Sequence, residues 1–504
     1  MADSRTKNAS RNIVFGSLNK IVTLALPFFT RTLILYLLGA SYLGIGTLFT
    51  SILSFLSLAE LGLGSAIVYA MYRPIAENNY QQLCALLNYY RRLYRYIGVI
   101  ILSIGTLIIP LVPFLMKGEA PPGINIYFLY YIYLVNSVIS YFFAGYRQSL
   151  LSAYQRADII SNIATVISLF IQFGQIFVLY FTKNFYIYAF IPIIGTLITN
   201  GTNSFITKRK YPDIICKGEI SKDKKNEIKR KLAGLFGTKL NSIIVHSADI
   251  MVISAFLGLT MTAQYGNYYY IMNAVCGFIA VFFSSLTAGI GNKLVTDTKS
   301  ASMLLFENLS FTNAWLVGWC SVCFLCLYEP FMEIWVGKNL CLGLPFVICM
   351  VFYFFIYEIQ RTVLTFKDAA GLWNKDKYRP YVSMTVNVVS NLILVNIIGI
   401  YGIVISTIIA FFISLPWANY VLFKYLFKKN PMDNILRIIQ DFSITLACCV
   451  ITYIASMYIP QGIGWFFIRI MICLILPNTV FYFAYRNKKE FSYVKNMLLS
   501  RIGK

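Results

Sequence analysis

The sequence predicts an all-α polytopic membrane protein with about fourteen transmembrane helices. Three observations lead to this prediction. Of the 504 residues, 58% are hydrophobic and 12% are charged, a balance typical of chains that lie mostly in lipid. Apolar segments of spanning length follow one another along the chain, and basic residues collect in every second connection between them. The charged stretches outside these segments are too short to form a soluble domain.

The apolar segments divide the chain into about fourteen candidate spans with short polar connections. Only the stretch from Gly399 to Gly402 separates the eleventh segment from the twelfth. The polar N-terminal residues and the long first apolar stretch predict no cleavable signal peptide. The approximate limits of the segments are 13–38, 42–69, 94–116, 124–146, 158–181, 186–205, 233–257, 262–290, 304–328, 344–366, 381–399, 401–422, 437–458 and 464–485.

The basic residues predict how the chain is oriented. The N-terminus, the connections after even-numbered segments and the C-terminal tail hold about 35 Lys and Arg residues, against about 3 in the opposite connections. Because basic loops stay on the cytoplasmic side, both termini are expected in the cytoplasm. The net charge of +23 is then explained by topology and by contact with anionic lipids, and does not indicate nucleic acid.

Two basic stretches lie outside the spans. The connection 208–232 mixes basic with acidic residues, and two interpretations stay open. An amphipathic helix on the membrane surface would suit this composition, and so would a solvated linker. The tail 486–504 alternates basic with apolar residues, which is compatible with lying on the membrane.

Short sequence matches indicate an internal repeat. FGSLN, from Phe15 to Asn19, corresponds to FGTKLN, from Phe236 to Asn241. SAYQRAD, ending at Asp158, corresponds to AGLWNKD, ending at Asp376. Two six-helix halves with the same orientation predict a substrate path between the halves and transport by alternating access. The predicted domains are a first bundle at 1–207, a basic linker at 208–232, a second bundle at 233–430, two additional helices at 431–485 and a basic tail at 486–504.

The first two segments carry polar groups within apolar runs. Lys20 and Arg31 are eleven residues apart and project from nearly the same face of a helix, with Pro27 between them predicted to kink it. The Lys20 side chain could also extend to the cytoplasmic headgroups. Arg31 lies deeper in the apolar run, so this explanation suits Arg31 less well. Glu60 precedes a Gly-rich turn and is interpreted as a helix cap or a contact on the cytoplasmic side.

The seventh and tenth segments hold the other deep charges. Lys239, His246 and Asp249 can share one face of a helix, as an ion pair or a proton relay. The alternative for His246 is a neutral imidazole hydrogen-bonded within the bundle. Glu358 and Arg361 are three residues apart, so they could simply pair with each other.

Among the charged residues within the apolar segments, basic residues outnumber acidic ones. This balance favours an anionic substrate such as a phosphate or diphosphate. No cofactor is expected, and H⁺ or Na⁺ is the candidate coupling ion. The substrate-binding candidates are Arg31, Lys20, Lys239 and Arg361, and the ion-coupling candidates are Asp249, Glu358 and His246.

Catalytic and metal sites are not predicted. Cys320, Cys323 and Cys326 have the spacing of a cluster ligand set, but successive positions drift around a helix and no fourth ligand follows nearby. They are interpreted as small apolar residues of a membrane helix. A membrane glycosyltransferase or polymerase would need large extracytoplasmic loops or a catalytic domain with paired carboxylates, and the sequence contains neither. We therefore do not expect an enzyme.

Four stretches resemble one protein family. They are RNIVFGSLNKIVTLALPFFTRTLILYLLGASYLGIGTLF from Arg11, LSLAELGLGSAIVYAMYRPIAENN from Leu56, the helix in which Asp249 precedes FLG, and AAGLW from Ala369. These stretches resemble the polysaccharide repeat-unit flippases of the Wzx type, which transport O-antigen, capsule and exopolysaccharide units. The resemblance covers essentially the whole chain and is most specific over its first part.

The resemblance implies a MATE/MOP-like fold, with two pseudo-symmetric six-helix bundles, two further helices and a cationic central cavity. It implies transport of undecaprenyl-diphosphate-linked oligosaccharides across the bacterial plasma membrane, driven by an ion gradient. The expected partners are this lipid-linked substrate, membrane lipids, a polysaccharide polymerase and other assembly proteins. The alternative is a multidrug or cation antiporter of the same superfamily, which would call for a net acidic cavity.

Overall fold

The computed structural model describes the backbone of residues 2–60 and 62–502. It describes their side chains except at 2–14, 17, 59, 229–236, 238–239, 242, 288 and 497–502. Every regular element in the described backbone is helical. The α-helices are α1 (Ala2–Leu37), α2 (Ala40–Leu56), α3 (Leu63–Ala76), α4 (Tyr80–Ile108), α5 (Ile126–Phe142), α6 (Gln148–Ala153), α7 (Ala157–Thr182), α8 (Phe185–Lys210), α9 (Lys222–Leu257), α10 (Leu259–Thr296), α11 (Lys299–Val336), α12 (Leu344–Ile359), α13 (Arg361–Ala369), α14 (Arg379–Ile398), α15 (Ile400–Leu422), α16 (Met432–Met457), α17 (Ile463–Tyr485) and α18 (Lys489–Ile502).

The helices confirm the predicted polytopic all-α fold. Eleven helices in the described residues are long and apolar enough to cross a membrane. The bent pair α5 and α6 makes a twelfth candidate, and the shorter apolar helices Ala40–Leu56 and Ile243–Leu257 fill the remaining two places. These elements follow the order of the fourteen segments predicted from the sequence. The orientation of the termini stays a prediction.

By packing, the chain divides into a first unit, Met1–Ala263, and a second unit, Gln264–Lys504. Helix α9 packs on α2 and α3, so packing groups it with the first unit. The limits predicted from the sequence follow the repeat instead, and they stay predictions.

Both units contain the same succession of elements. In the first unit, α5 and α6 form a helix bent by 51°, the first turn of α7 carries the buried Asp158, and α7 and α8 pack as a hairpin. In the second unit, α12 and α13 meet at Gln360, a turn carries the buried Asp376, and α14 and α15 pack as a hairpin. Superposition of the two halves by rotation about the membrane normal stays a prediction.

Local side-chain chemistry sets several helix starts. Asn79 precedes α4 and accepts a hydrogen bond from the backbone N–H of Gln82. Asn184 precedes α8 and accepts from the N–H groups of Tyr186 and Ile187. Side-chain oxygens at such N-cap positions satisfy donors that have no partner inside the helix. These caps define where the spans begin after very short connections.

The basic connection folds back onto the first unit. The Asn88 amide donates to the backbone oxygen of Gly218 at 2.9 Å, and Arg92 pairs with Glu219 at 3.0 Å. Ile214 and Ile220 are buried, which explains why this segment packs instead of remaining in solvent. Residues 211–221 are thus a docked strap, and α9 starts directly after it. The sequence patterns had suggested a surface helix or a solvated linker.

Candidate functional site

A cavity of about 440 Å³ lies among α2, α5, α7 and α8 of the first unit. We call it the polar chamber because most of its lining residues carry a hydroxyl or an amide group. Among the residues that the structure describes, none of those lining it is charged. Its lining residues are Thr50, Leu53, Ser54, Ser57, Tyr133, Asn136, Ser137, Gln175, Tyr188, Ala189 and Pro192.

Helical periodicity places these polar groups on common faces. Thr50, Ser54 and Ser57 recur at spacings of four and three along α2 and the short turn that follows it. The other face of α2 carries Leu48 and Phe49, which are fully buried in the apolar core. The chain therefore buries one face of α2 in the core and presents the other to the chamber.

A proline explains one specific bond in the chamber wall. Pro192 lies inside α8 and has no backbone N–H, so the carbonyl of Tyr188, four residues earlier, loses its helical donor. The side-chain amide of Gln175 donates to that carbonyl at 3.2 Å and ties α7 to α8. Gln175 is only 4% exposed, so this bond also satisfies a buried amide.

Arg31 adds a positive charge beside the polar chamber. Its side chain is half-buried on α1, and its charge acts on the phenol of Tyr188 in the chamber wall. Lys20 lies about three turns earlier on α1 and is also half-buried. Next to it, the Asn19 amide donates to the Thr165 hydroxyl at 3.0 Å and fastens α1 to α7. A guanidinium in this position can bind a phosphate. The uncharged hydroxyls and amides beside it can form hydrogen bonds with sugar hydroxyls.

The predicted ion-coupling group on α9 is only partly described. Asp249 is 1% exposed, and His246 is half-buried one turn before it. The side chain of Lys239 lies outside the described residues. A relay among these three residues stays a prediction.

Glu358 and Arg361 form the pair that their spacing allowed. The Arg361 guanidinium donates to both carboxylate oxygens of Glu358, at 2.9 Å and 2.5 Å. Glu358 is fully buried, and Arg361 also lies over the ring of Tyr357. The two opposite charges compensate each other inside the second unit, which favours a structural interpretation. Their roles in substrate binding and ion coupling stay predictions.

The sequence patterns did not indicate the neutral residues of the polar chamber as site residues. Asn136, Gln175 and Tyr188 are ordinary polar residues on apolar helices, and such residues carry no strong individual signal. The stripe of Tyr133, Asn136 and Ser137 at spacings of three and four was the available signal. The Tyr141 phenol, which donates to Glu60 at 2.5 Å, was not predicted either, because it is 81 residues away in the sequence.

An apolar cavity of the second unit has a different character. It has a volume of about 540 Å³ and lies among α11, α12, α15 and α16. Leu325, Ile348, Phe352, Ile408 and Phe442 are typical of its wall. Such a surface suits hydrocarbon, not polar ligands.

Comparison with solved structures assigns the fold. A structure described as the lipid II flippase MurJ in an inward closed conformation is similar, with a TM-score of 0.68 and 17% identity over 94% of this chain and 99% of that one. An inward-facing multidrug resistance MATE family transporter of the MOP superfamily matches with a TM-score of 0.56 and 16% identity, over 81% and 97% of the two chains. A MOP superfamily transporter from Pyrococcus furiosus matches with a TM-score of 0.55 and 14% identity, over 84% and 97%.

At the sequence level, no protein-family model and no curated protein matches the chain. The structural matches extend over nearly the full length of the MurJ, MATE and Pyrococcus furiosus structures. The protein therefore has the all-helical membrane fold that MurJ and the MATE transporters share.

Proposed function

We propose that the protein is a flippase for undecaprenyl-diphosphate-linked oligosaccharide repeat units. It moves them across the bacterial plasma membrane by alternating access, for the synthesis of a surface polysaccharide. The observation that carries this proposal is the polar chamber beside Arg31 within a MurJ-like fold. An uncharged polar wall next to a cation suits a neutral glycan attached to a diphosphate.

The substrate divides chemically into three parts, and each part has a suitable environment. Arg31 and Lys20 bind the diphosphate, because guanidinium and ammonium groups form charge-assisted hydrogen bonds with phosphate oxygens. The amides and hydroxyls of the polar chamber bind sugar hydroxyls, and Tyr133 and Tyr188 offer ring surfaces to sugar faces. The polyprenyl tail stays in lipid, because moving it into water would expose its apolar surface.

An ion gradient supplies the driving force, with H⁺ or Na⁺ as the coupling ion. Asp249 is the candidate favoured among the three residues predicted for coupling, because it is a buried acid on a spanning helix. Glu358 is less suited, since both of its oxygens accept hydrogen bonds from Arg361. His246, half-buried near Asp249, remains a neighbouring proton acceptor or donor.

A second candidate is a multidrug or cation antiporter. The similarity to a structure described as a multidrug resistance MATE family transporter favours it. The uncharged chamber wall and the positive charge of Arg31 argue against it, because a cationic drug would meet repulsion from the guanidinium there.

Replacement of Arg31 tests the proposal. Arg31→Ala should reduce flipping of a fluorescent polyprenyl-diphosphate oligosaccharide in proteoliposomes by about 100-fold, because a charge-assisted bond to phosphate is lost. Membrane abundance should stay normal. Arg31→Lys should restore flipping only partly, since lysine keeps the charge without the bidentate geometry.

Arg469→Ala is the matched control. Arg469 is also an arginine on a spanning helix, but its guanidinium donates to the backbone oxygen of Ile459 in the second unit. Flipping should therefore persist in this variant. Normal flipping by Arg31→Ala at normal abundance would contradict the proposal. Transport of cationic dyes that survives Arg31→Ala, without any flipping of the diphosphate by the wild type, would favour the antiporter.

A further inference from the structure

Helices α10, α11, α17 and α18 enclose a further cavity of about 610 Å³ in the second unit. We call it the aromatic cleft, because half of its lining residues are Phe or Trp. None of its described lining residues belongs to the polar chamber, and the proposed transport does not use it. The aromatic lining residues are Phe282, Phe311, Trp315, Trp319 and Phe491.

One face of α11 forms the long wall of the cleft. Phe311, Trp315 and Trp319 recur every four residues, so their side chains lie on one face of the helix. At a rise of about 1.5 Å per residue, these positions extend over about 12 Å of a helix that is long and apolar enough to cross a membrane. Phe282 lines the cleft and is 42% exposed, so the cleft opens at the surface of the unit. The cleft is thus elongated in the direction in which lipid chains lie.

The polar atoms in the wall already have partners within the protein. The indole N–H of Trp315 donates to the Asn478 side-chain oxygen at 2.8 Å, and that of Trp319 donates to the backbone oxygen of Cys473 at 2.9 Å. The Thr312 hydroxyl donates to a backbone oxygen of its own helix. A ligand inside the cleft therefore needs no polar group there, and a hydrocarbon chain suits the wall.

The C-terminal helix α18 forms one end of the cleft. The Phe491 ring stacks on Trp315, with centroids 5.9 Å apart and 13° between the ring planes. Arg437 of α16 pairs with Glu490 at 3.2 Å and also lies 3.6 Å from Glu307 of α11. This shared arginine fastens the start of α18 to the rest of the second unit, so the cleft has a fixed wall on this side.

Positive charge lies at the same end of the cleft. Lys495 lines the cleft and its side chain is exposed, so the ammonium group is at the opening. Arg486 and Lys489 are also exposed, at the end of α17 and the start of α18. Cations at a membrane surface attract anionic lipid headgroups. An apolar cleft with an ammonium group at its opening matches a molecule that has a hydrocarbon chain and an anionic head.

We propose that the aromatic cleft is a binding site for an anionic phospholipid such as phosphatidylglycerol. One acyl chain lies along the aromatic face of α11, and the phosphate lies against Lys495. The chain fills the apolar space between α11 and α18, so the bound lipid stabilises the docking of the C-terminal helix. The site depends on the membrane fold alone and not on the identity of the transported substrate.

Quenching of tryptophan fluorescence by brominated lipids tests the proposal, because two of the six tryptophans line the cleft. The reporter is the full-length protein in which the other four, Trp335, Trp373, Trp417 and Trp465, are replaced by Phe. It is reconstituted into phosphatidylcholine vesicles that contain increasing fractions of brominated phosphatidylglycerol or brominated phosphatidylcholine. Half-maximal quenching should need about fivefold less of the anionic lipid, as expected for one cation near the membrane surface.

Three variants of the reporter make the test specific. Lys495→Gln should make the two lipids equally effective, and the exposed position of Lys495 should leave the fold intact. Val494→Phe narrows the cleft without removing charge, so quenching by both lipids should fall. Lys429→Gln is the matched control, since Lys429 is an exposed lysine of the second unit that does not line the cleft. It should keep the fivefold preference.

Four outcomes would overturn the lipid site. Equal quenching by the two lipids would show ordinary contact with bulk lipid, and a preference that survives Lys495→Gln would place the anion elsewhere. Displacement of brominated phosphatidylglycerol by an equal fraction of undecaprenyl phosphate would identify a polyprenyl chain as the occupant. Weak quenching by both lipids in a protein that cross-links as a dimer would identify a second copy. The vesicles contain no oligosaccharide substrate, so failure of the flippase proposal would leave these results unchanged.

Discussion

The two units contain the same order of elements but place their polar groups differently. In the first unit, hydroxyls and amides line a cavity, and the Tyr141 phenol donates to Glu60. In the second unit, apolar side chains line the cavity, and Glu358 and Asp376 form ion pairs with basic side chains. Oppositely charged groups that are paired inside a unit stabilise its fold, whereas hydroxyls and amides that line an open cavity can also bind a ligand. We therefore expect recognition chemistry in the first unit and structural electrostatics in the second.

The corresponding aspartates show the difference in detail. Asp376 accepts from Lys367 and from Arg379, whose side chains are 2% and 6% exposed. Asp158 accepts from Arg156, whose side chain is 22% exposed. The second unit therefore encloses two cations around one acid, whereas the cation of the first unit can reach solvent.

Removal of these acids should give the largest effect. Asp376→Ala leaves two buried cations without their shared partner and should destabilise the protein by about 3–5 kcal/mol. Asp158→Ala should cost only about 1–2 kcal/mol, because Arg156 can turn toward water. Thermal unfolding in detergent and abundance in membranes would measure both. Lys367→Met should partly rescue Asp376→Ala, and equal costs in the two units would contradict the comparison.

The hairpins offer a second comparison, with a smaller expected effect. A Cβ atom at Gly402 would collide with the backbone of Leu394, so α14 and α15 would have to separate. At Gly195 the colliding atom is the end of the Ile171 side chain, which can change rotamer. Gly402→Ala should therefore destabilise by about 1–3 kcal/mol and Gly195→Ala by less. Thermal unfolding of both variants would test this order, and a larger loss at Gly195 would contradict it.

Those features that depend on local sequence could be predicted. The spans follow from the length of apolar runs, and the pairing of Glu358 with Arg361 was one of the alternatives that their spacing left open. The polar chamber could not be predicted, because four helices contribute neutral residues that become neighbours only after folding. The partner of Glu60 is 81 residues away, so no local pattern connects Glu60 with Tyr141. The docking of 211–221 escaped prediction because isolated Ile residues in a basic segment give no periodic signal.

The helix breaks at Ala144 and Gln360 give the last and smallest contrast. Ala144 has a φ of 54°, a left-handed conformation that is strained for alanine but not for glycine. Gln360, at the break of the second unit, has a φ of −78° and a ψ of −4°, which suits an ordinary residue. Ala144→Gly should therefore stabilise the protein by about 0.5–1 kcal/mol, since relief of strain exceeds the entropy gained by the unfolded chain.

The same substitution at Gln360 should have the opposite sign. Gln360 is 2% exposed, so glycine would remove buried side-chain atoms as well as raise the entropy of the unfolded chain. Gln360→Gly should lower the unfolding temperature and Ala144→Gly should raise it, with both measured in detergent at one pH. Destabilisation by both variants would show that the bend at Ala144 depends on the methyl group as well as on the backbone. The two breaks would then be more alike than their dihedral angles indicate.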